Sequence, residues 1–307
     1  MLSKQTEKNT NNIKERVKKG IGIVSNSMDI LKSVSFGSKY FEIAVTLREA
    51  CLINGMLTSS EIWYGLTKKE ESQLEEVDKL LLRRILEAPN SACVESLYLE
   101  LGLVPIHILL KMRRLNYLHY LANLNKNEML SKVFIAQWNY PVKDDWTLKA
   151  KENLKDFSMN MSLKDLQRIS QYSFKKMVKV KTKEYALDYL LELKSKHSKM
   201  NNLDYPELKL QDYLKDPKIS VQESKNLFRF RTRTANFKTN MKSSYQCLLC
   251  PLCSLESDTQ EHSMQCTKVK SEICIVRNYY EIFREDIPQD IAKTLLKIVE
   301  FRKLSLS

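Results

Sequence analysis

Glycine is nearly absent from this chain. Its 307 residues hold six, at Gly20, Gly22, Gly37, Gly55, Gly65 and Gly102, and none follows Gly102. Average usage would place roughly twenty. Tight hairpin turns need residues that accept left-handed backbone, and glycine is their main supply, so the scarcity argues against an all-β fold. It also leaves no G-x-x-x-x-G-K-[ST] phosphate loop, no G-x-G-x-x-G turn and no G-x-S-x-G elbow. A basic, mainly helical protein remains. Fifty Lys and Arg stand against 37 Asp and Glu, a net +13, and such an excess points to a polyanionic partner.

The hydrophobic spacing is helical through most of the chain. The first eleven residues are polar and are expected to be disordered. From residue 12, Ile13, Val17, Ile21, Val24, Met28 and Leu31 recur at intervals of three and four, with Lys14, Arg16, Lys18 and Lys19 outside that stripe. A second helix is predicted from Tyr40 towards Met56. A third opens at Thr67-Lys-Lys-Glu70, a capping-box pattern, and carries Leu74, Val77, Leu81 and Ile85 on one face. A short helix over Ser91 to Leu101 is stopped by Gly102. Pro105 suits the first turn of the next, with Ile108, Met112, Leu115 and Leu118 inward.

Short connections predict a helical bundle over residues 12–125. A helical connector is expected over 126–224, anchored by Trp138 and Trp146, then a basic segment with a metal knuckle over 225–268. A helical tail over 269–307 carries Ile291, Leu295, Ile298 and Phe301 at helical spacing.

Cysteine use is uneven. Cys51 and Cys93 stand alone, whereas Cys247, Cys250, Cys253, Cys266 and Cys274 crowd into 28 residues. That distribution suits a reducing compartment and one metal site, not a secreted disulfide scaffold. Met1-Leu2-Ser3-Lys4 begins no signal sequence, since polar residues follow, and the apolar run Leu103 to Leu110 is too short to span a bilayer. The expectation is an intracellular protein, nuclear or cytoplasmic, with neither a membrane nor a small-molecule substrate as partner.

The strongest chemical signal is Cys250-Pro-Leu-Cys253 followed by His262 and Cys266. Two thiolates three positions apart can share one ion, and a His and a Cys four apart on a helical turn can complete a tetrahedron. Three sulfurs and one nitrogen favour Zn²⁺, and four protein ligands make the site structural. The bland reading is a set of buried reduced cysteines beside a solvated His. Cys247-Leu-Leu-Cys250 offers a second C-x-x-C register; the tighter set is preferred.

Lys225 to Gln246 holds six basic residues and no acid. Arg229, Arg231 and Arg233 alternate with Phe228 and Phe230, and Phe237, Lys238 and Lys242 follow. Guanidinium groups pair with phosphates and aromatic faces stack on unpaired bases, so the composition suits RNA or DNA. The alternative is an ordinary helix with its phenylalanines in the core. Lys175, Lys176, Lys179, Lys181 and Lys183 form another acid-free run. Residues 1–20 net +4, Lys175 to Lys183 +5 and Lys225 to Gln246 +6, so the other 256 residues net −2. His107 and His119 read as packing residues, and Asp144-Asp145 as a loop or helix start.

Several segments together resemble the C-terminal part of a non-long-terminal-repeat (LINE-type) retrotransposon reverse transcriptase. Asn12-Ile-Lys-Glu-Arg-Val17 is similar to the helix after the palm, and Ser59-Ser-Glu-Ile-Trp-Tyr-Gly65 to a thumb segment. Leu97-Tyr-Leu-Glu-Leu-Gly-Leu-Val-Pro105 with Arg113-Arg-Leu-Asn-Tyr-Leu-His119 is the most specific match. Cys250-Pro-Leu-Cys253, Asp258-Thr-Gln-Glu-His262 and Cys266 resemble the family's cysteine–histidine motif. The family's catalytic aspartates have no counterpart here. The resemblance therefore implies a thumb-and-connector fragment that holds nucleic acid without polymerase activity of its own. A protein-docking helical module, or a mobile-element remnant without a role, are the other readings.

Overall fold

The computed structural model is mainly helical. It describes all residues except 1, 35–36, 64, 144, 241–245, 274–277, 285–286, 288 and 307, and no side chains for 2–10, 37–38 and 306. The described residues form no β-strand, only the isolated bridges Leu101–Leu210 and Leu249–Ser257. In chain order the helices are α1 Leu2–Lys32, α2 Gly37–Leu47, α3 Asn54–Met56, α4 Lys68–Leu86, α5 Val94–Leu101, α6 Ile106–Ala122, α7 Met129–Asn139 and α8 Trp146–Asp156. There follow α9 Leu163–Arg168, α10 Gln171–Lys194, α11 Asp212–Lys215, α12 Val221–Arg231, α13 Gln260–Gln265, α14 Thr267–Glu272 and α15 Gln289–Leu306.

Local chemistry explains several of their ends. The Thr67 backbone N–H donates to Glu70 Oε2 at 2.9 Å, and the Glu70 N–H donates back to Thr67 Oγ1 at 3.2 Å. This reciprocal box opens α4, with Glu70 and Glu71 in its first turn and Arg83 and Arg84 in its last, where each sign suits the helix dipole. Its predicted stripe, Leu74, Val77, Leu81 and Ile85, is buried. Ser162–Asp165 and Ser220–Glu223 make the same box at α9 and α12. Helix α1 begins ahead of residue 12, with no proline or glycine before Gly20 to interrupt it.

The chain divides into two compact units. One comprises Met1–Asn26, Leu47–Leu80 and Val104–Tyr189; the other comprises Ser27–Thr46, Leu81–Leu103 and Leu190–Ser307. Spacing alone predicts consecutive blocks, because it marks each apolar face without saying which faces share a core.

In the first unit, α6 packs against the turn at Ser60–Ile62 and against α7, α8 and α9. Ile106, Ile108, Leu115 and Leu118 of α6 are buried there. Gly20 lets α1 approach closely: a Cβ at that position would lie 2.3 Å from Met56 Sδ and 2.9 Å from Val77 Cγ1. Between α2 and α3 the helix widens into a π-turn, Arg48–Ile53. Arg48 is buried there and binds Asp78 through Nε at 2.8 Å and Nη2 at 2.6 Å, while Nη2 also donates to the Val104 carbonyl at 2.8 Å. A buried charge needs this full set of partners to be tolerated.

In the second unit, Gly102 ends α5 in the left-handed conformation, φ +66°, where glycine is unstrained. A Cβ there would also lie 2.1 Å from the Lys209 carbonyl carbon, so both conformation and space exclude a side chain. Helix α12 packs on α15. Ile291, Leu295 and Ile298 of α15 are fully buried, each contributing roughly 1.5–3 kcal/mol relative to exposure.

Candidate metal centre and basic surfaces

The second unit brings Cys250, Cys253, His262 and Cys266 together. Their ligand atoms all lie within 4.8 Å of one another. A tight turn carries the first pair. Leu249 bridges Ser257, Asp258 N–H donates to the Leu248 carbonyl at 2.7 Å, and Cys250 N–H donates to the Glu256 carbonyl at 2.7 Å. Ser254, φ +56°, closes the turn through its N–H to the Cys250 carbonyl at 2.8 Å.

Helix α13 carries His262, and Cys266 follows directly at its end. Thr259 caps the helix by accepting from His262 N–H, and Cys266 N–H donates to the His262 carbonyl at 2.7 Å. The Glu256 carboxylate lies 3.0 Å from His262 Nδ1, which leaves Nε2 facing Cys253 Sγ at 3.3 Å. A carboxylate on the far nitrogen is the usual device for orienting a metal-binding imidazole.

The cysteines differ electrostatically. Backbone N–H groups of Leu255 and then Glu256, with His262 beside them, lower the Cys253 thiol to about 6. Burial pushes Cys250 up. Cys250 and Cys266 are buried, Cys253 half-buried. A tetrahedron with bonds of about 2.3 Å places its vertices about 3.8 Å apart. The four donors therefore need only small side-chain adjustments to share an ion. Cys247 is exposed and outside the group, in accord with the tighter register; Cys274 lies outside the described residues.

Residues the spacing did not single out hold the knuckle in place. Arg302 of α15 binds Asp258 through both nitrogens, at 2.8 and 3.0 Å, and both residues are buried. Lys238 N–H donates to Asp258 Oδ2 at 2.9 Å. Gln260 donates to the Phe230 carbonyl and the Tyr279 hydroxyl, and accepts from Asn240.

The basic segment takes a different form from the one its composition predicts. Phe228, Phe230 and Phe237 lie in the core and present no face to stack on a base. Arg231 is likewise buried, with Nε on Glu100 Oε1 at 3.1 Å and Nη1 on the Ile282 carbonyl at 2.5 Å. Tyr205 donates to the same Glu100 oxygen at 2.8 Å. Arg231 is thus a core cation, and its assignment to nucleic acid is corrected: desolvating it required an internal carboxylate. Arg229 is half-exposed but donates to the Glu87 carbonyl and carboxylate at 2.9 and 3.1 Å. Arg233 pairs with Glu261 at 2.7 Å, and Lys238 Nζ donates to the Leu249 carbonyl at 3.0 Å. Lys242 lies outside the described residues.

In the first unit, Lys14, Lys18 and Lys19 of α1 are exposed. Arg16 is instead half-buried, donating to the Met56 carbonyl at 2.9 Å with its guanidinium 4.7 Å from the centroid of the Trp63 ring. On α10, Lys175, Lys176, Lys179 and Lys183 are exposed, while Lys181 pairs with Glu184 at 2.7 Å. His107 contacts Glu75, and His119 stacks on Phe174 and contacts the Ile169 carbonyl at 3.0 Å. Each side chain is thus engaged by neighbouring residues. Asp145 caps α8 by accepting from Thr147 N–H at 2.8 Å; Asp144 lies outside the described residues. No helix among the described residues is long and apolar enough to cross a membrane.

Comparison with known protein families, curated proteins and solved structures finds no match.

Proposed function

We propose that this chain binds RNA or DNA through phosphate contacts, with a structural Zn²⁺ knuckle bracing its second unit. The reading is that of a thumb-and-connector fragment similar to LINE-type reverse transcriptases, without polymerase chemistry of its own. The observation that carries it is the set of exposed lysines on α1 and α10, Lys14, Lys18, Lys19, Lys175, Lys176, Lys179 and Lys183. None of the seven makes an ion pair with another described residue. Exposed cations in that number are a footprint for a polyanion, since each phosphate neutralised releases condensed counterions. The metal assignment rests on the donor set: three sulfurs and an imidazole suit Zn²⁺, and a closed four-ligand site stabilises the fold without catalysing a reaction.

The test is fluorescence anisotropy with labelled single-stranded RNA, single-stranded DNA and duplex over a series of salt concentrations. Log affinity is expected to fall linearly with log salt. Salt-independent binding, or none at micromolar protein, overturns the reading. One feature favours the protein-docking alternative: Val17, Ile21, Val77 and Leu80 line an apolar groove of about 450 Å³ in the first unit. That alternative gains if nucleic acid fails to bind in this assay.

A further inference from the structure

Helix α7, in the first unit, is apolar on two opposite sides. Ser131 and Phe134 are buried and Trp138 half-buried where it packs on α6 and α8. Lys151 lies over the Trp138 ring, 4.5 Å from its centroid. A surface helix ordinarily turns charged and polar residues outward on the face opposite. Here the outer face carries Met129, Val133, Ala136 and Tyr140, all exposed, with Met129 77% and Tyr140 81% open to solvent. Leu130 flanks this stripe and is exposed, as is Val142, two residues past Tyr140. Scattered exposed apolar residues are ordinary, whereas a continuous run along every turn of one helix marks an interaction site.

The spacing says what kind of partner fits. Positions 129, 133, 136 and 140 step by four, three and four. That alternation is a coiled-coil seam, on which a second helix packs its own apolar residues. In this register Lys132 borders the seam at a position where charge pairs across the interface select the partner. It is exposed and makes no ion pair with another described residue. Helix α7 itself holds no acid, and the nearest described acids in sequence, Glu128 and Asp145, stand at the N-caps of α7 and α8. A carboxylate for Lys132 must therefore come from the occupant.

Two other occupants fit less well. A second copy packed antiparallel places equivalent flanks on one edge, so the two copies of Lys132 share it. A parallel copy offers Lys132 no acid either. A lipid surface suits helices with one strongly charged face, and the other face of α7 is packed on α6 and α8.

We propose that α7 seats one amphipathic helix of another protein, its apolar residues on the Met129–Tyr140 seam and an Asp or Glu opposite Lys132. Helix α7 is 11 residues long, so the contact belongs with small, transient interfaces. The inference is independent of the nucleic-acid reading, because it uses none of the exposed lysines of α1 and α10.

The experiment selects a yeast-displayed library of three-heptad helices on the full chain. The library carries Leu or Ile at the seam positions and Glu, Gln or Lys beside them. Selection is repeated on Lys132→Glu, Val133→Asp and Ala136→Arg, all exposed positions where the thermal midpoint is expected to hold. The wild-type chain is expected to enrich helices with Glu opposite Lys132, K132E to enrich Lys at that place, and V133D and A136R to enrich neither. Titrating the most enriched peptide by fluorescence anisotropy should show about tenfold or greater loss of affinity in V133D and in A136R. No enrichment on the wild-type chain, the same helices enriched on V133D and A136R, or no change of preference in K132E overturns the proposal. Sedimentation equilibrium showing a dimer that A136R dissolves gives the face to a second copy instead and also overturns it. Binding to phosphatidylserine vesicles that is lost in V133D does the same in favour of a lipid surface.

Discussion

Arg302 grips Asp258 through two parallel hydrogen bonds, 2.8 and 3.0 Å, across 44 positions of sequence. One residue lies near the end of the C-terminal helix and the other immediately precedes the cap of the helix that carries His262. The pair therefore ties the knuckle to α15 without touching the ligands. Replacing Arg302 with Ala strands a buried carboxylate, and such losses cost about 3–5 kcal/mol. Urea titration should show R302A strongly destabilised, and R302A with Asp258→Asn losing less than the two single changes combined. Additive losses would mean the pair is not coupled.

Metal content follows from the same geometry. Plasma emission analysis is expected to find one zinc per purified chain, retained in Cys247→Ser and lost in Cys253→Ser. Zinc unchanged in C253S would reverse the register.

The buried pair joining Arg48 of the π-turn to Asp78 of α4 has no part in the proposed binding. Asp78→Ala leaves Arg48 without its carboxylate in the core and should cost about 3–5 kcal/mol, read as a lowered thermal midpoint. An unchanged midpoint would show that the π-turn relaxes to release the arginine.

Acid stability should respond to Glu87. Burial raises its pKa, but the Lys225 ammonium, hydrogen-bonded at 2.9 Å, and then Arg229 outweigh burial and hold it below the usual carboxylate range. A folded-state value below the unfolded one stabilises the protein above the unfolded value, about pH 4.3. That contribution disappears as pH falls through the folded value. Glu87→Gln should flatten the acid limb of a stability-versus-pH curve below about pH 5; an unchanged limb would show the pair to be screened by solvent.

Exposed and buried cations should separate cleanly in binding assays. Lys175→Glu, Lys176→Glu and Lys179→Glu together are expected to lower nucleic-acid affinity and reduce the salt slope by about 1 per lost contact, with the melting temperature nearly unchanged. Arg231→Ala is expected to lower the melting temperature through the unpaired Glu100. A binding defect in R231A at full stability would restore Arg231 to the interface.

Features that depend on neighbours along the chain are legible in the sequence itself. The Thr67–Glu70 box, the stop at Gly102 and the stripe Leu74, Val77, Leu81 and Ile85 are interactions within one or two helical turns. The Ser220–Glu223 box is written in the same code and gives an equally clear signal for the start of α12. The four candidate ligands belong with these, because a C-x-x-C and an H-x-x-x-C each fix their own spacing; only their meeting required the fold.

What composition could not decide was the direction in which each charged or aromatic side chain points. An arginine-rich, phenylalanine-rich segment reads alike whether its cations face water or a buried carboxylate. Arg231 turns inward because Glu100, 131 positions away, waits in the core with Tyr205 already bound to it. Phe237 follows because Arg302 covers its ring. The same separation hides the Asp258–Arg302 pair. Burial of a polar group is settled by whichever distant partner offsets its desolvation, and that partner is supplied by the packing of helices, not by adjacent residues.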